Sequence, residues 1–380
     1  MSEARSERER RWAGTMAGHG EGPVRRAHMD VDAKLGPVDG FDRTAREELE
    51  DGLLAPGATR ARGGGHRVVE EEPDAWRTCF ERDRDRILHG SPFRRLSGKT
   101  QVFIFPEDHQ RTRLTHALEV AQVATGIARA LRLNEALTEA IALGHDCGHG
   151  PFGHASEDAF TPYVSGGYDH AVWGADVVLA PLNLCAETLD GIRNHSWSRP
   201  APGTPEGEVV AWADRIAYVG HDFEDAVDAG IVTPDMLPDT VRAIVGGERR
   251  SRQLDVLISG VIETSLATGE VGLSGGLADV LAEFRAFNYE HIYMRPASTA
   301  QSDAVIRVLR ALVEFYADRP NTLPGLEPAG RAGAPAGSEA ALRDSVTYVA
   351  GMTDRFAFAQ ARAHLGWDAA GLPAGLDTGR

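Results

Sequence analysis

Apolar residues recur with the period of an α-helix along most of the chain after its first seventy or so residues. The clearest stretch is Leu114–Leu131, where apolar residues return every three or four positions, as is typical of a helix with one buried face. Asn134 then precedes a second apolar series, and asparagine is a favoured N-cap, so we predict a helix from there to Leu143. The same period predicts helices over Val209–Ala229, Ala304–Tyr316 and Glu339–Leu365.

Alternation of apolar and polar positions, which is typical of a half-buried strand, is scarce, and Thr100–Phe105 is the best candidate. No internal repeat with a period of roughly 20–50 residues is evident, which disfavours a solenoid. The pattern therefore predicts an all-α protein with one main domain.

Two segments depart from the helical pattern. Residues 1–70 begin with the charged run SERERRW, contain few apolar residues and reach the stretch PGATRARGGGH, so we interpret them as a mostly disordered leader. Residues 319–338 contain too much proline and glycine for a helix and are interpreted as a linker or long loop. We therefore expect a core at residues 71–318, with a C-terminal helix and tail at residues 339–380 that pack on it.

The charge balance, 40 basic against 56 acidic residues, gives a formal net charge of −16. It argues against a protein that mainly coats nucleic acid or anionic membrane, although a local basic groove is compatible with it. The cysteines Cys79, Cys147 and Cys185 are odd in number and lack CxxC spacing, which disfavours a disulfide framework and a thiolate zinc site. No apolar run reaches the roughly 20 residues that span a bilayer, and no secretory signal is present, so we predict a soluble cytoplasmic protein.

Candidate chemistry is densest in the segment GHDCGHGPFGHASED. It contains imidazoles and carboxylates that suit Mn, Fe, Ni, Zn or, with fewer nitrogens, Mg, and these are His145, Asp146, His149, His154 and Glu157. The alternative is a set of buried histidines that serve only as helix caps or hydrogen-bonded core residues. On residue chemistry alone, both interpretations stay open.

Two further segments contribute candidates. His116 lies on the polar edge of the predicted helix Leu114–Leu131, and Asp214 lies in an apolar stretch, where a buried carboxylate needs a partner. That partner is a metal ion, an arginine such as Arg215 or Arg193, or several N–H donors. Tyr218 follows Asp214 at i+4 and shares its helix face.

Taken together, these segments resemble the dGTP triphosphohydrolase-like branch of the HD superfamily of phosphohydrolases. The similar blocks are RDRDRILHGSPFRRLSGKTQVF, RTRLTHALEVAQ, GHDCGHGPFGHASE, ADRIAYVGHDFEDAV and VAGMTDRFA, in that order. They cover the chain from Trp76 to the 360s. The resemblance implies an HD-domain helical bundle with additional helices.

The resemblance also assigns roles. It implies a divalent metal ion held by four ligands, His116, His145, Asp146 and Asp214. It implies a catalytic pair, His154 and Glu157, in which Glu157 keeps His154 protonated so that it acts as a general acid.

Substrate contacts follow from the same resemblance, and they are expected from Arg113, His149, His170 and Tyr218. The chain departs from the family at His170, where an amide-rich stretch is commoner, and at Arg215, where an acidic residue is often found. Arg94 and Arg95 are further candidates for binding phosphate. We interpret His195 as a polar pocket wall rather than as part of a second metal site.

The implied reaction cuts a dNTP between the α-phosphorus and the 5′-oxygen, giving a deoxynucleoside and inorganic triphosphate. The implied partners are a dNTP substrate, a second nucleotide as allosteric effector, and further copies of the chain in a homo-oligomer. Two alternatives stay open. One is another HD-type nucleotide phosphohydrolase or phosphodiesterase, and the other is a nucleotide-sensing or single-strand nucleic-acid-binding scaffold, for which the arginine-rich leader offers a basis.

Overall fold

The computed structural model describes residues 6–104, 110–247, 249–324 and 334–368, and sixteen α-helices lie within them. In chain order they are α1 (Glu7–Thr15), α2 (Arg43–Leu53), α3 (Cys79–His89), α4 (Ser91–Arg95), α5 (Arg113–Leu131), α6 (Glu135–Gly144), α7 (His154–Phe160), α8 (His170–Trp173), α9 (Ala186–Asn194), α10 (Pro205–Asp228), α11 (Asp239–Val245), α12 (Arg250–Thr268), α13 (Gly275–Asn288), α14 (Pro296–Asp318), α15 (Glu339–Ala350) and α16 (Asp354–Leu365). The described residues contain no β-strand, and the predicted all-α fold class is confirmed.

Contacts divide the chain into two units, residues 1–41 and residues 42–380. In the first unit, Ser6 caps α1 by accepting a hydrogen bond from the Glu9 amide at 3.2 Å, and no residue of α1 is buried. Across the described residues, every helix is too short or too polar to cross a lipid bilayer.

The second unit begins earlier than the composition suggests. The sequence pattern places residues 42–70 in a disordered leader, whereas the structure forms α2 there and buries Ala58 and Ala61. Thr59 donates from its amide and hydroxyl to the buried carboxylate of Glu206, at 3.0 and 2.7 Å. Partners so distant in sequence hold this segment on the core, and local composition does not reveal them.

Helices α5 and α6 form where the apolar period predicts them. Ala117, Val120 and Ile127 are among the fully buried residues of α5. Arg132 ends this helix in the left-handed region, with φ of 54°, and Asn134 then accepts from the Leu137 amide at 3.1 Å to cap α6. This tight connection packs α6 against α5 and places residues 145 and 146 just after the end of α6.

Helix α10 is the longest of the described helices, with 24 residues, and it packs against α5, α6, α9 and α12. It begins earlier than the predicted Val209, because Thr204 caps it by accepting from the Gly207 amide at 3.2 Å and Pro205 fits its first turn. The middle of α10 therefore faces α5.

A second apolar cluster joins α7, α14, α15 and α16. The predicted continuous helix Glu339–Leu365 needs correction, because two helices form there and the chain breaks between Ala350 and Asp354. Thr353 caps α16 by accepting from the Phe356 amide at 3.4 Å.

The predicted strand Thr100–Phe105 is also wrong in its described part, residues 100–104, where no strand forms, and Phe105 lies outside the described residues. Thr100 donates from its amide and hydroxyl to Asp354 Oδ2, at 2.8 and 2.6 Å. Because a carboxylate takes the amide that would start a ladder, only an isolated bridge from Thr100 to Thr112 remains. In the predicted linker, Pro320–Thr322 form a 3₁₀ turn, while residues 325–333, like the tail from 369 to 380, lie outside the described residues.

Candidate active site

The four residues predicted as metal ligands lie together. His116 comes from α5 and Asp214 from α10, while His145 and Asp146 follow the last turn of α6. Asp214 Oδ1 lies 3.0 Å from His116 Nε2 and 3.7 Å from His145 Nε2. Asp146 Oδ1 lies 3.5 Å from His145 Nε2. The geometry is that of a single cluster, and the assignment of these side chains as ligands stays a prediction.

The alternative partners of Asp214 are engaged elsewhere. Arg193 pairs with Asp176, and the guanidinium of Arg215 lies over the ring of Trp197. The carboxylate of Asp214 therefore faces imidazoles rather than an arginine.

The hydrogen bonds of His145 show that the cluster fits a cation. His145 Nδ1 lies 2.6 Å from the carbonyl oxygen of Ala142, so Nδ1 carries the proton and Nε2 presents a lone pair. In the described part of the chain, this buried Nε2 has no hydrogen-bond partner. Two imidazole nitrogens with two carboxylates form a donor set that divalent Mn, Fe, Ni and Zn accept.

Both carboxylates of the cluster are in the form that binds a cation. Burial alone would raise the pKa of Asp214, but the hydrogen bond with His116 lowers it instead. In the same way, burial opposes ionisation of Asp146, while the charge of Arg113 holds its pKa well below the ordinary value. The cluster is therefore anionic at neutral pH.

Arg113 connects the cluster to the substrate side of the site. It is 1% exposed, and its Nη1 donates to Asp146 Oδ2 at 2.7 Å. Its Nε and Nη2 are buried and have no hydrogen-bond partner within the described residues. A Cβ at Gly153, where φ is +64°, would lie 2.5 Å from Nη2, so glycine is required for this approach. The geometry leaves donors of Arg113 available to an anion.

His149 and His170 form a stacked pair, with ring centroids 3.7 Å apart and an interplanar angle of 15°. His149 Nε2 lies 3.2 Å from Asp146 Oδ1, and His170 Nδ1 lies 2.5 Å from Glu157 Oε1. His170 Nε2 lies 3.2 Å from His195 Nε2. The structure thus places the two predicted substrate-binding histidines between the cluster and Glu157.

Tautomers follow from these contacts. His195 Nδ1 lies 2.7 Å from the Ile192 carbonyl oxygen, so His195 Nε2 is an acceptor and His170 Nε2 is the donor to it. Burial alone would lower the pKa of His170, but the hydrogen bond with Glu157 raises it. For His195, burial lowers the pKa to about 3. His195 lines the cavity, and it also lies close enough to His145 and Asp146 for the three to hold a metal ion, so its interpretation as a polar wall stays a prediction.

His154 lies at the first position of α7, with its imidazole exposed to the cavity and 5.1 Å between its ring centroid and that of His149. The resemblance implies that Glu157 keeps this ring protonated, but Glu157 bonds His170 instead. Its position deep in the cavity and the charge of Arg113 lower the pKa of His154 to about 4, against a smaller raising effect of Glu157. Without a bound anion, His154 is therefore neutral.

Tyr218 lies on the opposite wall, one turn after Asp214 on α10. Its hydroxyl accepts from Arg285 Nε at 2.7 Å. Burial raises the pKa of Tyr218, while Arg215 and Arg285 act against that rise. Two guanidinium groups therefore flank one phenol at the cavity wall.

The sequence pattern did not single out Arg285 or Tyr293, which α13 and the turn after it bring to the cavity. The Tyr293 hydroxyl donates to Asp222 Oδ2 at 2.5 Å, and burial raises the pKa of Asp222 to about 7. A signal was available in the spacing, since Arg285 and Tyr293 are separated by two helical turns and share a face.

Most of these side chains line one cavity of about 430 Å³, a volume in the usual range for small-molecule sites, while His145 and Glu157 lie outside its described lining. Its wall includes three guanidinium groups, those of Arg113, Arg215 and Arg285. Arg94 and Arg95, which the sequence offered as phosphate contacts, are not part of its described lining, and Arg95 donates to Ser91 at 3.2 Å.

Family models match two parts of the chain, an HD domain at residues 113–219 and a phosphohydrolase-associated domain at residues 271–363. The first match covers the segment from Arg113 to just after Tyr218, and the second covers the helices that carry Arg285 and Tyr293. The chain is therefore an HD-domain phosphohydrolase.

Curated relatives narrow the family further. The chain is 44% identical over 322 residues to a "deoxyguanosinetriphosphate triphosphohydrolase-like protein" of Caldanaerobacter subterraneus, covering 83% of this chain and 93% of the relative. Proteins with the same name from Clostridium perfringens and Desulfatibacillum aliphaticivorans are 42% and 37% identical, covering 75% and 83% of this chain and 86% and 96% of the relatives. The chain belongs to the deoxyguanosinetriphosphate triphosphohydrolase-like family, and the predicted resemblance is confirmed.

Proposed function

We propose that this protein hydrolyses deoxynucleoside triphosphates, dGTP or several dNTPs, to a deoxynucleoside and inorganic triphosphate. One observation carries the proposal: a cluster that fits a divalent cation and three guanidinium groups line the same cavity. The names of the relatives supply the substrate class.

The charges of the cavity suit a polyphosphate. Arginine forks hold phosphate oxygens through paired hydrogen bonds, and Arg113 keeps two nitrogens available for such bonds. Arg215 and Arg285 extend the positive wall along α10 and α13. A ligand with several linked phosphates would satisfy all three at once.

A divalent ion held by His116, His145, Asp146 and Asp214 would polarise a phosphoryl oxygen and lower the pKa of water. Arg113 orients Asp146 with Nη1 and binds a phosphate oxygen with Nη2. His149 and His170, stacked beside Asp146, face the same phosphate, and Glu157 keeps a proton on His170 Nδ1.

The leaving 5′-oxygen needs a proton, and we assign this transfer to His154. Its imidazole is exposed in the cavity and makes no ion pair in the described part of the chain, so it can approach the substrate. A bound polyphosphate adds negative charge next to the ring, and this raises the pKa of His154 from the low value of the free site. Substrate binding therefore charges the acid.

Product analysis tests the proposal. The protein loaded with Mn²⁺ is incubated with each dNTP and rNTP, and products are identified by mass spectrometry, with chelator-treated protein as the control. We expect deoxynucleoside and inorganic triphosphate. Release of orthophosphate or pyrophosphate would instead support another HD-type phosphohydrolase, and binding without turnover would support a sensing or nucleic-acid-binding scaffold.

We also propose, from the resemblance, that the chain forms a homo-oligomer and that a second nucleotide acts as effector. Light scattering with and without dNTP tests the oligomer, and the dependence of the rate on dNTP concentration tests the effector. A monomer whose rate follows simple saturation would contradict both.

A further inference from the structure

Arg215 is a cation of the cavity wall that forms no salt bridge within the described residues. It directly follows Asp214 in the sequence, and both side chains line the cavity. Its Nε is buried and lacks a hydrogen-bond partner in the described part of the chain. The group that holds Arg215 in place is therefore not a carboxylate.

The indole of Trp197 holds it. The guanidinium carbon of Arg215 lies 3.4 Å from the centre of the Trp197 ring, which is close contact of the cation with the aromatic face. The guanidinium also hydrogen-bonds the side chain of Tyr218, while its Nε has no partner in the described part of the chain. A contact with a ring uses no N–H group, so Arg215 keeps donors that can bind an anion.

Trp197 is itself fixed, although 46% of its surface is exposed. Its Nε1 donates to the carbonyl oxygen of Ala211 at 3.0 Å, and its ring meets that of Trp212 edge to face at 4.7 Å between centroids. Exposed tryptophans normally gain little from being held in one orientation. Trp197 is held on α10 by its Nε1 hydrogen bond and by its ring contact with Trp212, next to Arg215.

The two cations near Tyr218 repel each other. Arg285 bonds the Tyr218 hydroxyl, and its charge disfavours the charge of Arg215. An anion between Arg215 and Arg285 would offset this repulsion. In the proposed function, Arg113 binds the phosphate nearest the cluster. The unpartnered donor of Arg215 is thus available to a more distant phosphate of the substrate.

We propose that Trp197 is a positioning residue that holds Arg215 against the outer phosphates of the substrate, so that the site selects a long polyphosphate chain. This inference rests on the proposed function and adds the basis for selecting triphosphates. Trp197 acts through Arg215 and does not touch the reacting atoms.

Calorimetry with the full chain loaded with Mn²⁺ tests the inference, with inorganic tripolyphosphate and orthophosphate as probes and dGTP for kinetics. In Trp197→Ala, affinity for tripolyphosphate should fall and KM for dGTP should rise, each on the order of tenfold, because one cation–aromatic contact is lost. Affinity for orthophosphate and kcat should change little. Trp197→Phe should recover most of the loss, whereas Trp197→Leu, which fills space without a π-face, should not.

The variant Arg215→Ala should show the same loss, and Trp197→Ala should add nothing in that background. Trp76→Ala, at an exposed tryptophan outside the cavity lining, is the matched control and should resemble wild type. Unchanged preference for tripolyphosphate in Trp197→Ala, additive losses in the double variant, or equal recovery by Leu and Phe would overturn the inference. If wild type prefers tripolyphosphate but releases no triphosphate from dNTPs, the proposed function is wrong. The positioning role of Trp197 would still hold in that case.

Discussion

The protonation of three site histidines, His145, His170 and His195, follows from the group that hydrogen-bonds their Nδ1 atom. A backbone carbonyl holds the Nδ1 proton of His145 and of His195, so the Nε2 lone pair of His145 faces the cluster and that of His195 accepts from His170, whereas Glu157 keeps a proton on His170 Nδ1. His145 is therefore suited to binding a metal ion, and His170 is suited to carrying a proton. This division makes separate predictions for metal binding and proton transfer.

Asp214→Ala should lose bound metal while the protein stays folded. Asp214 Oδ1 is within 4 Å of both cluster histidines, at 3.0 and 3.7 Å, and no other carboxylate of α10 takes its place. Elemental analysis and circular dichroism measure the two effects, with Asp228→Ala, an exposed aspartate of the same helix, as control. Full metal occupancy in Asp214→Ala would contradict the four-ligand assignment.

His154→Ala should keep the metal and bind dNTP, yet lose turnover by roughly 10²–10⁴-fold, the usual contribution of a general acid. Its ring lies beside His149 and outside the four-residue cluster, so removing it leaves the predicted ligands intact. Steady-state kinetics with metal analysis test this. Near-normal turnover would leave His149 or His170 as the proton donor.

Glu157→Gln should move the basic limb of the kcat–pH profile to lower pH. The carboxylate raises the pKa of His154 against the larger lowering by burial and by Arg113, so its removal lowers that pKa further. Because the acid acts in its protonated form, the limb follows the pKa downward. Profiles of both proteins, with metal content checked, measure the shift, and a limb that stays in place argues against His154 as the acid.

At the scale of elements, the N-terminus of α16 joins two segments of the site. Asp354 accepts from the Thr100 amide and hydroxyl through Oδ2 and from the Phe152 amide through Oδ1, at 2.8, 2.6 and 2.8 Å. One segment forms the cavity wall at residues 100–104, and the other carries His149 and His154. A C-terminal helix therefore helps to shape a cavity built mostly by the middle of the chain.

Lys99 strengthens the same junction. Its buried ammonium group donates to the carbonyl oxygens of His149 and Ala350, the latter at 2.9 Å. Burial and the nearby charge of Arg95 lower the pKa of Lys99 to about 7.

Asp354→Ala should reduce the free energy of unfolding by about 3 kcal/mol, because three buried donors lose their acceptor. Urea denaturation measures it. Asp344→Ala, an exposed aspartate of α15, is the control and should stay within about 0.5 kcal/mol of wild type. An equally small effect of Asp354→Ala would show that the junction contributes little.

At the scale of the whole molecule, residues 42–70 form part of the second unit. A chain that starts at Glu71 should be less stable than one that starts at Asp42 by more than about 2 kcal/mol, because the buried Glu206 loses both bonds from Thr59. Thermal and urea unfolding of the two truncated proteins measure the difference. Equal stability of the two proteins would show that residues 42–70 do not stabilise the core.

The sequence by itself determined the features that depend on neighbours in the chain. The apolar period placed α5, α6 and α10, and Asn134 capped α6 as its side chain predicts. The order of the histidine and aspartate segments indicated the family, because each segment can be recognised in the sequence without knowledge of the fold.

Only the tertiary structure decided what depends on partners far apart in sequence. Glu157 bonds His170 rather than His154, Asp354 binds Thr100 and Phe152 at the start of a separate last helix, and Thr59 binds Glu206. Periodicity reports which face of a helix is apolar, but the partner of a buried polar group is chosen by packing between elements. For the site itself, the pairing of Glu157 with His170 decides which histidine holds a proton.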